Sequence, residues 1–107
     1  MIHKAQIEIF LSELRKAIVC KRFVVIPRGK NNAFLARYGM TPVERQEAVA
    51  NLTPHDYMGG PEFDRDNPGE QDIWKFRKHF GGREIYIKLK LVAKDNGSYA
   101  KCLSFHD

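Results

Sequence analysis

Apolar residues recur at helical spacing from the start of the chain. Ile7, Phe10, Leu11, Leu14, Ala17 and Ile18 fall at i, i+3, i+4 and i+7, and Glu8, Glu13, Arg15 and Lys16 lie off that stripe. The spacing predicts an amphipathic helix over residues 3–20 with one face laid on a sheet. Phe23-Val24-Val25-Ile26 is a β-branched run closed by Pro27 and predicts a short strand. Residues 28–32 read as a loop. Asn32 is placed to cap a short helical turn that runs through Tyr38 and stops at Gly39. Thr41-Pro42-Val43-Glu44 combines a Thr cap, Pro at the first helical position and Glu at the third. This capping box predicts a helix to about Asn51, before Thr53-Pro54 ends it.

The second half changes period. Residues 58–72, MGGPEFDRDNPGEQD, are rich in Gly, Pro and Asp and predict an exposed, flexible loop. Three strands are expected after it. Residues 73–80 alternate Trp74 and Phe76 with Lys75 and Arg77. Residues 84–92 alternate Ile85, Ile87, Leu89 and Leu91 with Tyr86, Lys88 and Lys90. Residues 99–106 place Leu103 and Phe105 on one face and Cys102, Ser104 and His106 on the other. Gly81-Gly82 and Asp95-Asn96-Gly97 supply the turns. The expected fold is α+β, one domain over residues 1–107, with N-terminal helices on one face of a mainly antiparallel twisted sheet.

A chain of 107 residues with 43% hydrophobic and 11% aromatic positions can bury one ordinary core. No apolar run reaches the ~20 residues of a membrane span. Lys4, Glu8 and Glu13 exclude a secretory signal core from the first residues. A soluble cytoplasmic protein with no membrane partner is expected. Cys20 and Cys102 form no paired motif and read as two reduced thiols. The net charge is +5 and unevenly spread. Residues 54–72 carry one Arg against six acids, a net −5, and residues 73–103 carry eight bases against two acids, a net +6. A basic block on regular structure suggests a polyanionic partner, with an ordinary solvated face as the bland alternative.

If the apolar positions of the three strands face the helices, their alternates share the opposite face. That face would carry Lys75, Arg77, Tyr86, Lys88, Lys90 and His106. Cations, a phenol and an imidazole suit metal-free RNA cleavage, in which the ribose 2′-hydroxyl attacks the adjacent phosphate. The reaction needs a base for the hydroxyl proton, an acid for the leaving 5′-oxygen, and cations for the charge on the phosphate. An imidazole titrates in the range either proton role requires, so His106 is the leading candidate. Lys75 and Lys88 would stabilise charge, Tyr86 would hydrogen-bond phosphate or stack on a base, and Arg77, Lys90 and Lys101 would bind RNA backbone. No metal or cofactor is expected. Asp64-x-Asp66-x-x-Gly69 begins like a calcium loop, but Pro68 and Lys75 occupy positions where ligands belong. Two other classes remain open: a non-catalytic nucleic-acid-binding module on the same face, and a docking module for an acidic protein.

Several short stretches in order carry a family resemblance. They are Asn51-Leu52-Thr53-Pro54-His55-Asp56-Tyr57, Gly60-Pro61-x-x-Asp64, Asp72-Ile73-Trp74, Glu84-Ile85-Tyr86-Ile87-Lys88-Leu89 and Leu103-Ser104-Phe105-His106. Over residues 42–107 the chain resembles the MqsR family, the toxin halves of bacterial type II toxin–antitoxin pairs. The resemblance implies a RelE-like fold, an endoribonuclease acting on mRNA without metal, and a cognate antitoxin that neutralises it. It implies functional positions near Gly59 and at Lys75, Tyr86 and His106. Tyr86, followed by Lys88, keeps the family's residue. Lys75 stands where the family has Gln, and His106 where it has Lys.

Overall fold

A computed structural model describes residues 2–95 and 97–107. Helix α1 spans Lys4–Val19, strand β1 Phe23–Val25, helix α2 Gly29–Tyr38 and helix α3 Pro42–Ala50. A 3-10 turn at Pro54–Asp56 leads into β2 (Tyr57–Glu62), β3 (Ile73–Phe80), β4 (Arg83–Lys94) and β5 (Gly97–His106). The five strands form one mixed sheet in the order β1-β5-β4-β3-β2, antiparallel throughout except for the parallel pair β1 and β5. The chain is thus an α+β domain. None of its described helices is long and apolar enough to cross a membrane.

The helical stripe meets the sheet as its spacing predicts. Ile7, Phe10, Leu11, Leu14 and Ala17 are buried against Phe76, Ile85, Ile87, Leu89 and Phe105 in one core. Phe10 stacks on Trp74 at 4.6 Å between centroids and on Phe76 at 5.9 Å. Phe34 of α2 meets Phe105 edge-on, and Ala48 and Val49 of α3 join the same cluster. All three helices therefore contribute apolar residues to the core on one face of the sheet. The Thr41 box forms as read, with the Glu44 N–H donating to Thr41 Oγ1 and the Thr41 N–H to Glu44 Oε1. Arg15 ties α1 to the end of α3 by donating to the carbonyls of Ala50 and Leu52.

Four expectations change. First, α2 starts at Gly29 rather than near Asn32, so residues 29–32 are helical and Asn31 is fully buried. Its Nδ2 donates to the carbonyls of Ile26 and Leu103 at 3.0 and 3.2 Å, and its Oδ1 accepts from the Phe105 N–H at 3.0 Å. β1 stops pairing at Val25 opposite Cys102, with a further bond from the Ile26 N–H to Cys102 O. The Asn31 amide satisfies the edge of β5 beyond that point, taking the place of a missing strand residue.

Second, β5 carries a bulge. Lys88 lies opposite Ser104 and Leu89 opposite Cys102, leaving Leu103 as the extra residue. The bulge reverses the parity of the strand. Cys102 joins the helix-side core and Ser104 keeps the open face with His106, so the expected grouping of Cys102 with Ser104 and His106 is corrected. Burial pushes the Cys102 thiol up to about 12.

Third, part of the expected loop is strand β2, which gives five strands in the sheet instead of four. Gly60 has φ +106°, and a Cβ there would lie 2.6 Å from the Ile73 carbonyl, so the close approach of β2 to β3 requires glycine. Fourth, residues 63–72 are mostly exposed, as expected of a loop, but Asp64 and Glu70 tie them to the sheet at Lys90 and Lys101. β4 and β5 pair up to Lys94 opposite Gly97, and the turn expected at Asp95-Asn96-Gly97 includes Asn96, which lies outside the described residues.

Candidate nucleic-acid site

Strand register sets the open face in two rows. Arg77, Tyr86 and His106 lie directly opposite one another across β3, β4 and β5, and Lys75, Lys88 and Ser104 form the next row. Directly opposed residues have Cβ atoms ~4.5–5.5 Å apart, and the rows are separated by two residues of strand, about 7 Å. The face is the one away from α1, where the alternation expects it.

A groove of about 470 Å³ opens beside these rows, lined by Arg28, Gly29, Lys30, Asn31, Tyr86, Lys88, Ser104 and His106. Its wall is the first turn of α2, held there by the buried Asn31 bonds to β5. That turn has no side-chain cap and no acidic residue, and Gly29 and Lys30, at the positive end of its dipole, line the groove. No Asp or Glu lines the groove. Among the described residues, Arg28, Lys30 and Lys88 enter no ion pair. The Nδ1 of His106 lies 3.1 Å from the main-chain oxygen of Asp107. A hydrogen bond at this contact uses Nδ1–H as donor, because the oxygen only accepts, and would leave Nε2 facing away from it.

Of the residues expected at the site, Tyr86, Lys88 and His106 come together in this groove. Lys75 and Arg77 share the face but stand one strand away, paired with Glu62 at 3.0 Å and Glu84 at 3.4 Å. Lys90 and Lys101, expected to bind RNA backbone, lie outside this groove in ion pairs. Alternation does put Lys90 on this face, but residues 63–72 fold over it and leave it 0% exposed. Its ammonium is bonded to Asp64 and lies 2.6 Å from Glu70 Oε1, and Lys101 donates to Glu70 Oε2 at 2.8 Å. Asp64 also accepts from the N–H groups of Asp66 and Asn67, which folds the loop about its carboxylate.

The direction of each titration follows from that cluster. The Lys90 hydrogen bond holds the Asp64 carboxyl below its ordinary value, and Lys101 and then Lys90 do the same for Glu70. Burial would push the Lys90 ammonium down, but its bonds to Asp64 and Glu70 outweigh that and hold it above its ordinary value. Two lysines are thus neutralised by two carboxylates in the row next to Lys88 and Ser104, and unpaired positive charge is left around His106.

Arg28, Lys30 and Ser104 belong to the groove and were not among the expected residues. The signal that finds them is Arg28-Gly29-Lys30 directly after the strand that Pro27 closes. A helix beginning at Gly29 aims its amides and both bases at one place, whereas a loop there carries no such implication. The fold and groove together define a class: an α+β domain with an acid-free cationic groove built from a sheet face and a helix start. No family model matches the chain, and neither a curated protein nor a solved structure matches it.

Proposed function

We propose that the protein is a metal-independent endoribonuclease of the RelE-like toxin type, cleaving mRNA at the groove between α2 and β4–β5. The observation that carries this reading is the convergence of His106, Tyr86 and three unpaired cations on one acid-free groove. A phosphodiester seated between Lys88, Arg28, Lys30 and the amides of α2 would have its charge met from three sides. The 2′-oxygen attacks phosphorus and loses its proton to a base, the bond from phosphorus to the 5′-oxygen breaks, and that oxygen takes a proton from an acid. The products are a 2′,3′-cyclic phosphate and a 5′-hydroxyl. His106 serves one of the two proton transfers through Nε2, and Tyr86, its cross-strand partner, donates a hydrogen bond to a phosphate oxygen or relays the other proton.

The resemblance of residues 42–107 to the MqsR toxins supports the same reading. It adds a cognate antitoxin as partner, whose neutralising segment would bring acidic residues to this basic groove. The test is incubation of the purified protein with a defined RNA in EDTA, followed by chemical mapping of the new ends. Cyclic phosphate and 5′-hydroxyl ends support the reading. Cleavage that stops in EDTA and returns with magnesium overturns it, and salt-sensitive binding without cleavage favours a non-catalytic binding module.

A further inference from the structure

A second groove of about 300 Å³ adjoins the first and shares Lys30 and His106 with it. It is lined by Lys30, Ala33, Phe34, Arg37, His106 and Asp107. Lys30, Ala33, Phe34 and Arg37 fall at i, i+3, i+4 and i+7 of α2, so one helix face forms its wall and carries a cation at each end. Asp107 also lines it, with Oδ2 accepting from the Tyr38 hydroxyl at 2.9 Å, so one negative charge stands between its two cations. The Tyr38 ring in turn carries the Arg83 guanidinium 3.8 Å from its centroid. His106 therefore does not sit at the end of a cleft. It sits on the divide between two grooves, with basic groups running on along α2 past it.

Resting on the ribonuclease reading above, we propose that the second groove is a subsite for the neighbouring nucleotide of a single RNA strand, whose flanking phosphate is met by Arg37. The strand crosses His106, with the scissile phosphate in the groove of Arg28, Lys30 and Lys88 and the next phosphate along α2. Single-stranded RNA fits better than duplex, because the two grooves meet over a side chain on one continuous wall and admit a strand followed phosphate by phosphate. The substrate is then recognised over more than one phosphodiester, and longer strands gain affinity through Arg37.

Binding of fluorescein-labelled 2′-O-methyl oligonucleotides, which lack the attacking hydroxyl, tests this without requiring cleavage. Affinity is measured against salt for a dinucleotide and a hexanucleotide. Arg37→Ala is expected to lower the log–log salt slope for the hexanucleotide by about 0.7, the value for one phosphate contact on a single strand, and to shrink the affinity gained from dinucleotide to hexanucleotide. Arg37→Lys keeps a cation in place and is expected to restore the slope. Lys4→Ala, on α1 behind the sheet, is the control. An Arg37→Ala protein with unchanged hexanucleotide slope and affinity overturns the subsite. That result leaves the cleavage reading standing if unmodified RNA is still cut in EDTA. Conversely, an Arg37-dependent slope in a protein that cuts no RNA keeps the subsite and removes the enzyme. Absence of binding to either oligonucleotide overturns both.

Discussion

His106 and Asn31 carry unequal burdens in this protein. His106 lies in the last row of the open face and is half-buried, and its ring makes a single hydrogen-bonded contact, to the main-chain oxygen of Asp107. Its replacement by Ala should leave the thermal midpoint near wild type and cut RNA cleavage by ~10²–10⁴-fold, the usual contribution of a positioned proton-transfer group. The acid or base limb that an imidazole gives the pH–rate profile should vanish with it. A limb that survives in His106→Ala would move the role to Tyr86. Asn31 is the reverse case. Removing its amide leaves the buried Phe105 N–H and the Leu103 carbonyl without this partner, which costs ~1–3 kcal/mol. Urea unfolding of Asn31→Ala checks this, and an unshifted midpoint would contradict the role given to the side chain. His106 was legible in the sequence because strand alternation and side-chain chemistry both point to it. Asn31 was not, because a polar residue between two apolar runs reads as a cap or turn, and its partners are a strand edge more than seventy positions away.

At the scale of elements, local chemistry was legible and contact between distant segments was not. The Thr41 box, the α1 stripe and the alternation of β3 and β4 are written in neighbouring residues, and each forms where it is read. Thr41→Ala should accordingly cost ~1 kcal/mol through the loss of one cap, measurable as a shift in urea midpoint without a change in slope. The bulge at Leu103 and the docking of residues 63–72 depend on the pairing of β5 with β4 and on Lys90, which nothing near them in sequence announces. The docked loop gives a pH dependence with a definite sign. Because the folded values of Asp64 and Glu70 lie below the unfolded ones, their contribution is complete above the ordinary carboxylate range and is lost as pH falls through the lowered values. Lys90, with its value raised, contributes fully below the ordinary lysine range and loses its contribution as pH rises through the raised value. Stability measured on the acid side should therefore fall more steeply for wild type than for Asp64→Asn. Parallel acid limbs would remove the loop–lysine pair from the stability of the fold.

For the molecule as a whole, the distribution of charge is what links the fold to the proposed function. The acidic stretch and the basic block follow one another in sequence, and a count of charges reads both as surface. Folding pairs many of these charges, Lys90 and Lys101 with Asp64 and Glu70, Lys75 with Glu62 and Lys78 with Asp56, and leaves Arg28, Lys30 and Lys88 without an ion pair among the described residues beside His106. Helices packed on one face and a row of polar residues on the other were readable from periodicity, whereas the contribution of α2 to the groove was hidden by the reading of residues 28–32 as a loop. The central claim is that this groove cleaves RNA by in-line attack of the 2′-hydroxyl, with His106 moving a proton. Its most direct test is the rate of cleavage of one defined RNA in EDTA by wild type and His106→Ala, with the chemistry of the ends determined. The account predicts 2′,3′-cyclic phosphate and 5′-hydroxyl ends from the wild type and a loss of ~10²–10⁴-fold in the variant. Equal rates for the two proteins, or ends bearing a 5′-phosphate, would contradict it.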